Sequence, residues 1–478
     1  MRYNGQRSGG TAAPTATPES AVAGAMSDEY WKRLERLVRT LIGRRFRTAR
    51  DLWRLQTRLL TLQRDIQGSI SELKRSRGSA DELEELRSVR WHARRFGDAI
   101  AWTLLGLDRQ YIYPLARNSP VPIPLDVHGT RGVQAIAEGL AGDWGFPLLH
   151  DITDCLRIGD ITFVCPGAEH TTVEVKTKLV REHRATKGRA TFEYQATVVS
   201  LSQPPPLAVA REDDGGSGPT GLAIPPKPNG RFERQLGRME VARRHQTAEH
   251  GTVNEIDGSP VISLAATAGG GDHAEVLKRL VRLARRRGYA GEGVDGTFFY
   301  AALYDRNGID PLRLSDTLSS LTSNLVASGI FFEDDPSRNS LVIFSVPSPE
   351  GRGPQLHLPY YLLPLPQTAV IDMLLGRLMI FNLVNSGRVV AALESAGFEV
   401  RVPTGRNDLS GDSLVVRMHV EGDRGERYAA EWRNLTMHLN EMTMEFKPVQ
   451  YIVDIAEAMR KSVHLGVNHL RQRSAGRE

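Results

Sequence analysis

Two short apolar stretches of this chain carry charge where a half-buried strand ordinarily carries valine or isoleucine. Gly159-Asp160-Ile161-Thr162-Phe163-Val164 runs into the polar turn Cys165-Pro166-Gly167-Ala168-Glu169-His170, and then into Thr172-Val173-Glu174-Val175-Lys176-Thr177. Side chains on a strand alternate with period two, so Glu174 and Lys176 share one face and Val175 takes the other. A hairpin brings Asp160 onto the face of Glu174. Two carboxylates and one ammonium converging on a sheet face suit a hard divalent cation and a water activated beside it. Each residue also has an ordinary structural use. Glu174 and Lys176 can form a surface ladder with a neighbouring strand, and Asp160 after Gly159 can be a turn residue. Asp151 and Asp154 are rival carboxylates; Asp160 is preferred because it leads an apolar strand directly.

The flanking segments supply the elements that must position these groups. Arg131–Leu140 reads as a helix carrying Glu138, and Gly145–Leu149 as the strand before Asp160. Past Lys176 comes a basic run of Lys178, Arg181, Arg184, Lys187 and Arg189, expected to follow the strand's end. Phe192–Val199 reads as a strand returning from a turn at Lys187-Gly188. Residues 203–230 are dense in proline and glycine and read as a loop insertion. Arg231–Met239 then reads as a basic helix with Arg231, Arg234, Gln235 and Arg238, and Val261–Leu264 as a strand.

This arrangement resembles the PD-(D/E)xK, or restriction-endonuclease-like, nuclease superfamily in its resolvase-like branch, over about residues 125–270. The resemblance rests on Asp160, on Glu174-Val175-Lys176 and on the helix–strand–strand–strand order around them. It implies an α/β fold with a mixed sheet flanked by helices. It further implies that Asp160, Glu174 and the Val175 carbonyl hold Mg²⁺ (or Mn²⁺), and that Lys176 positions the attacking water. Glu138 would take the place of the family's helical acidic residue, anchoring a second metal or orienting a hydrating water. Gln235 corresponds to a glutamine that some members carry on the following helix, although Met239 stands where an aromatic residue usually follows. The implied activity is metal-dependent hydrolysis of DNA phosphodiester bonds by an endonuclease, in defence against foreign DNA or in repair. Lys178, Arg181, Arg184, Arg231, Arg234 and Arg238 are the expected nucleic-acid contacts, with DNA favoured over RNA. The competing expectation is a non-catalytic nucleic-acid-binding or complex-assembly protein that uses a nuclease-like scaffold.

Residues 28–120 have helical periodicity. Leu52, Leu55, Leu59, Leu62, Ile66, Ile70 and Leu73 form an apolar seam, broken at Gly78 and followed by Ser79-Ala80-Asp81-Glu82 with capping-box spacing. The expectation is a basic α-helical hairpin or coiled coil, with Ser27 or Asp28 capping its first helix. It offers a surface for a protein partner or a second copy of the chain. Its arginines, among them Arg33, Arg36, Arg39, Arg50, Arg54 and Arg58, are either a solvated helix face or phosphate contacts.

Residues 1–27 read as a disordered tail without the apolar core of a secretion signal. The resemblance implies a nuclease-like unit over residues 121–268, and Gly269-Gly270-Gly271 reads as a linker. Residues 272–478 read as an α+β region with helices at Ala274–Arg287, Leu312–Ala327, Arg377–Ala396 and Tyr451–Val463. Strands are expected at Leu341–Phe344, Phe398–Val402 and Ser413–Arg417, with a winged-helix-like module in part.

Composition bounds these readings. A chain of 478 residues calls for two or three domains. A net charge of +5 suits a polyanionic partner. The two cysteines, Cys155 and Cys165, lack the paired spacing of a zinc site and read as reduced thiols of a cytoplasmic protein. Tyr360–Val384, the most apolar stretch, is interrupted by Pro364, Pro366, Asp372 and Arg377, so it reads as buried core rather than a membrane span. No Gly-x4-Gly-Lys loop is present, which excludes an ATPase built on that motif.

Overall fold

A computed structural model of the chain describes residues 18–43, 48–116, 127–141, 145–165, 167–184, 190–200, 230–256, 259–263, 273–309, 323–347, 357–401, 414–421, 425–432 and 435–475. Helices come first: α1 (Pro18–Gly43), α2 (Ala49–Ser76), α3 (Ala80–Leu104) and the short α4 (Arg109–Leu115). Most of the α2 seam is buried, Leu55, Leu59, Leu62, Ile66 and Ile70 all being 3% exposed or less. The helix stops where the sequence stops it. Arg77 takes the left-handed conformation, and the Gly78 N–H donates to the Leu73 carbonyl. Ser79 then caps α3 by accepting from the Glu82 N–H. Three expectations change here. Three long helices replace the hairpin, and α1 already begins at Pro18, so residues 18–27 are helical instead of part of a disordered tail, and Ser27 and Asp28 lie inside a helix instead of capping one.

Helix α5 (Val127–Leu140) leads into the antiparallel meander β1 (Phe146–Leu149), β2 (Ile161–Val164), β3 (Thr171–Arg184) and β4 (Ala190–Ser200), paired in that order. The helix–strand–strand–strand order is as read from the sequence. The expected mixed sheet is not: every pairing in it is antiparallel. Strand β3 also does not end after Lys176. It continues through Lys178, Arg181 and Arg184 and folds back as a long hairpin with β4, so β4 takes the sheet position beside β3. The strand after helix α6 (Gly230–Gln246), β5 (Val253–Ile256), accordingly pairs with β6 (Ser259–Ile262) in a small sheet of its own. Of the insertion expected over 203–230, residues 203–229 lie outside the described residues, as does the turn at Lys187-Gly188, and Gly230 opens α6.

The C-terminal part is built on helix α7 (Ala274–Arg287), with bounds matching the sequence reading, and on a four-stranded antiparallel sheet. That sheet contains β7 (Tyr289–Val294), β8 (Phe298–Tyr304), β9 (Leu341–Val346) and β10 (Leu378–Asn385) in the order β7-β8-β10-β9. This order replaces the winged-helix expectation, because β9 pairs with β10 and not in a hairpin of its own. It also corrects the helix read over Arg377–Ala396: its first half is strand β10, and only Ser386–Ser395 is helical. The reason is burial on both faces. Leu378, Ile380 and Val384 face the main core, while Phe381 and Leu383 join Phe299, Ala301 and Leu303 in a second apolar cluster. A strand buried on both sides loses the alternation that distinguishes it from a helix. Helix α8 (Gln367–Leu374) precedes β10 and α9 (Ser386–Ser395) follows it. Then come the three-stranded sheet β11 (Glu399–Arg401), β12 (Val415–Glu421) and β13 (Arg427–Trp432), and helices α10 (Leu435–Met444) and α11 (Gln450–Ala475). Most of 312–327 lies outside the described residues.

One apolar core runs from Leu34 through Phe163 to Phe446. Buried polar side chains join the helices to the meander. Gln56 donates to the Pro147 carbonyl at 2.9 Å and accepts from the Leu149 N–H at 3.0 Å, pairing with edge strand β1 as another strand would. Gln63 donates to the carbonyls of Ala93 and Ile152. Asp98, fully buried, accepts from the N–H groups of Asp154 and Cys155 and from Arg95. The helical region is thus fastened to the sheet edge.

Candidate functional site

Strand pairing places the two strand carboxylates together. Ile161 pairs with Val173 and Thr162 with Thr172, so one step further along the antiparallel ladder sets Asp160 opposite Glu174. The Asp160 N–H donates to the Val173 carbonyl at 2.8 Å, and Asp160 Oδ2 accepts from the Val175 N–H at 2.7 Å. Glu174 is 5% exposed, and its Oε2 accepts from Gln235 Nε2 on α6 at 3.3 Å. A buried carboxylate needs such partners, because an unpaired one is costly to desolvate. Helix α6 thus sets Gln235 against Glu174, and Met239, one turn further on, is buried.

The turn that presents Asp160 is held by Gly159, where the sequence already allowed a turn, and by His150, which sequence reading missed. Gly159 has φ +79°, and a Cβ there would lie 2.6 Å from Thr172 Cγ2. Buried His150 spans the turn. Its N–H donates to the Asp160 carbonyl at 3.0 Å, Nδ1 donates to the Gly159 carbonyl at 3.1 Å, and Nε2 lies 2.8 Å from Thr162 Oγ1. A carbonyl can only accept, so Nδ1 carries the proton and Nε2 accepts from the Thr162 hydroxyl. Thr162 in turn accepts from Thr172 at 2.9 Å. Burial lowers the His150 pKa to about 4, so the ring is neutral at pH 7.

Of the two rival carboxylates, one is engaged elsewhere. Asp154 pairs with Arg94 and Arg157. Asp151 lies on the turn after β1, and burial raises its pKa. Glu138, on α5, is exposed and accepts from the Trp53 indole at 2.7 Å. Among the described residues, no three of His, Cys, Asp or Glu converge as a metal-holding group, so Glu138 does not join Asp160 and Glu174 in one. Lys176 pairs with Thr197 of β4; its side chain, and those of Lys178, Arg181, Arg184 and Arg231, lie outside the described residues. Arg234 and Arg238 are exposed on α6, one turn apart and flanking Gln235. Cys155 is buried, and both cysteines are free thiols.

The groups brought to this end of the β2–β3 ladder are oxygens: the carboxylates of Asp160 and Glu174, at opposed positions and each with one oxygen fixed by an amide, beside the Val175 backbone. Oxygen ligands of this kind fit Mg²⁺ or Mn²⁺ and not a thiophilic metal. Among the described residues, no helix is long and apolar enough to cross a membrane. The chain matches no family model, no curated protein and no solved structure.

Proposed function

We propose that this chain is a metal-dependent nuclease that hydrolyses phosphodiester bonds of DNA, in defence against foreign DNA or in repair. The observation that carries the reading is that Asp160 and Glu174 occupy opposed positions of the β2–β3 ladder, with the Val175 N–H on one carboxylate and Gln235 on the other. Asp160, Glu174 and the Val175 carbonyl would hold Mg²⁺. Bound there, the cation offsets phosphate charge and lowers the pKa of a water. Gln235 keeps Glu174 in one orientation, and the Gly159 turn does the same for Asp160. Lys176, two residues beyond Glu174 on the same strand, orients the attacking water. Arg234 and Arg238 lie on the helix beside the carboxylates and supply phosphate contacts.

One observation favours the non-catalytic scaffold reading: Glu138 is bound to Trp53 and adds no third carboxylate to the pair. Metal binding separates the two. Mn²⁺ titration followed by electron paramagnetic resonance should show saturable binding to the wild type, weakened at least tenfold by Asp160→Asn. Binding that is absent, or identical in the variant, refutes the site.

A further inference from the structure

We propose that the α7 end of the C-terminal sheet binds a single strand of nucleic acid, with phosphates on its arginines and a base stacked on Tyr289. Three strands end side by side here. The Tyr304 N–H donates to the Gly288 carbonyl at 2.7 Å, Leu378 pairs with Tyr304, and the Asp305 N–H donates to the Arg377 carbonyl at 2.9 Å. This brings Arg286 and Arg287 at the end of α7, Arg306 after β8 and Arg377 before β10 to one end of the sheet. Among the described residues none of these four is ion-paired, and Arg286, Arg287 and Arg306 are exposed. Neighbouring charge is already spent: Arg285 pairs with Asp372, Arg279 with Glu292 and Lys278 with Glu275.

Helix α1 makes the contrast, since Arg33, Arg36 and Arg39 are each neutralised, by Asp65, Glu29 and Glu35. Arginines in a last helical turn also favour the helix dipole, which accounts for Arg285, Arg286 and Arg287. It does not account for Arg306 and Arg377, which come from two other turns, or for Tyr289, an aromatic ring 40% exposed on edge strand β7 directly after them. Guanidinium groups that have no ion pair among the described residues and an exposed ring, gathered at one end of a sheet, are the elements of the stacking platform and charged track used for single strands. The surface is far along the chain from Asp160 and Glu174, and the inference does not rest on the nuclease reading.

The test is binding of the full chain to fluorescent 20-mers of oligo-dT and oligo-U, and to the corresponding duplex, in EDTA over a salt series. Working in EDTA keeps the outcome independent of whether the carboxylate site cuts. The triple variant Arg286→Ala/Arg287→Ala/Arg306→Ala should flatten the slope of log affinity against log salt by about 2, at roughly 0.7 per lost phosphate contact on a single strand. Tyr289→Ala should weaken single-strand binding roughly 5- to 100-fold, with Tyr289→Phe retaining it and duplex binding changing less. Circular dichroism checks that the exposed substitutions leave the fold intact. No binding by the wild type, or an unchanged slope in the triple variant, overturns the proposal. Binding to phosphatidylserine vesicles that the triple variant loses while oligonucleotide binding stays the same overturns it in favour of a membrane surface.

Discussion

Replacing Gly159 with alanine should damage the turn that presents Asp160, by an amount that divides into two parts. Gly159 sits at φ +79°, in the left-handed region. Holding an alanine there costs about 1–2 kcal/mol. The new Cβ would also meet Thr172 Cγ2 at 2.6 Å and the Val173 carbonyl at 3.0 Å, inside ordinary contact distance. Overpacking of this kind costs about 1–3 kcal/mol. Gly159→Ala should therefore lose about 2–5 kcal/mol of stability in urea denaturation followed by circular dichroism. Thr172→Ser removes the crowding methyl yet keeps the hydroxyl that donates to Thr162. The double variant should recover most of the packing part and remain about 1–2 kcal/mol below its Thr172→Ser parent. A Gly159→Ala chain within about 0.5 kcal/mol of wild type refutes the turn geometry. Strict additivity of the two substitutions refutes the contact with Thr172.

Burial depresses the pKa of His150 and His438 to about 4 and that of His92 to about 3. In the unfolded chain they bind protons near about pH 6.5, so the unfolded state takes up more protons between these values. Stability should hold above neutral pH and fall as the pH drops from about 6.5 toward 4; His92→Gln should shallow that slope in pH-dependent denaturation, and an unchanged slope contradicts the burial argument. Arg109 joins Glu445 at 2.6 Å and Glu441 at 3.2 Å, linking α4 to α10, while Tyr451 donates to Glu441 at 2.7 Å. Arg109→Ala should cost about 3–5 kcal/mol by leaving Glu441 without its cation and Glu445 with Lys447 alone, and adding Glu445→Gln should restore part of it; equal losses in both variants count against the network. Gln56→Ala removes both bonds to the β1 edge and should cost about 2–3 kcal/mol in the same assay, and a loss below about 0.5 kcal/mol contradicts that role.

The opposed ladder positions of Asp160 and Glu174 were legible because hairpin pairing and period-two alternation are local rules. The α2 seam, the stop at Gly78, the Ser79 cap and the bounds of α7 were legible for the same reason. The course of β3 beyond Lys176 was not. Lys178, Arg181 and Arg184 show none of the alternation that marks a half-buried strand, and their pairing comes from β4. Strand β10 was misread because burial on both faces erased its period. The residues that support the site were missed because their partners are distant in sequence. Gln56 bonds to Pro147, and His150 bonds across the turn to Thr162. A signal existed for the first kind: Gln56 and Gln63 lie on the apolar seam of α2, where an amide demands a buried partner.

The most direct test of the account is cleavage of plasmid and single-stranded DNA with Mg²⁺ or Mn²⁺ by the wild type and by Glu174→Ala. The account predicts cutting that needs the metal, disappears in Glu174→Ala and is also lost in Lys176→Ala while the fold is kept. Cutting that persists undiminished in both variants, or a wild type that binds Mn²⁺ and DNA but never cuts, would contradict it.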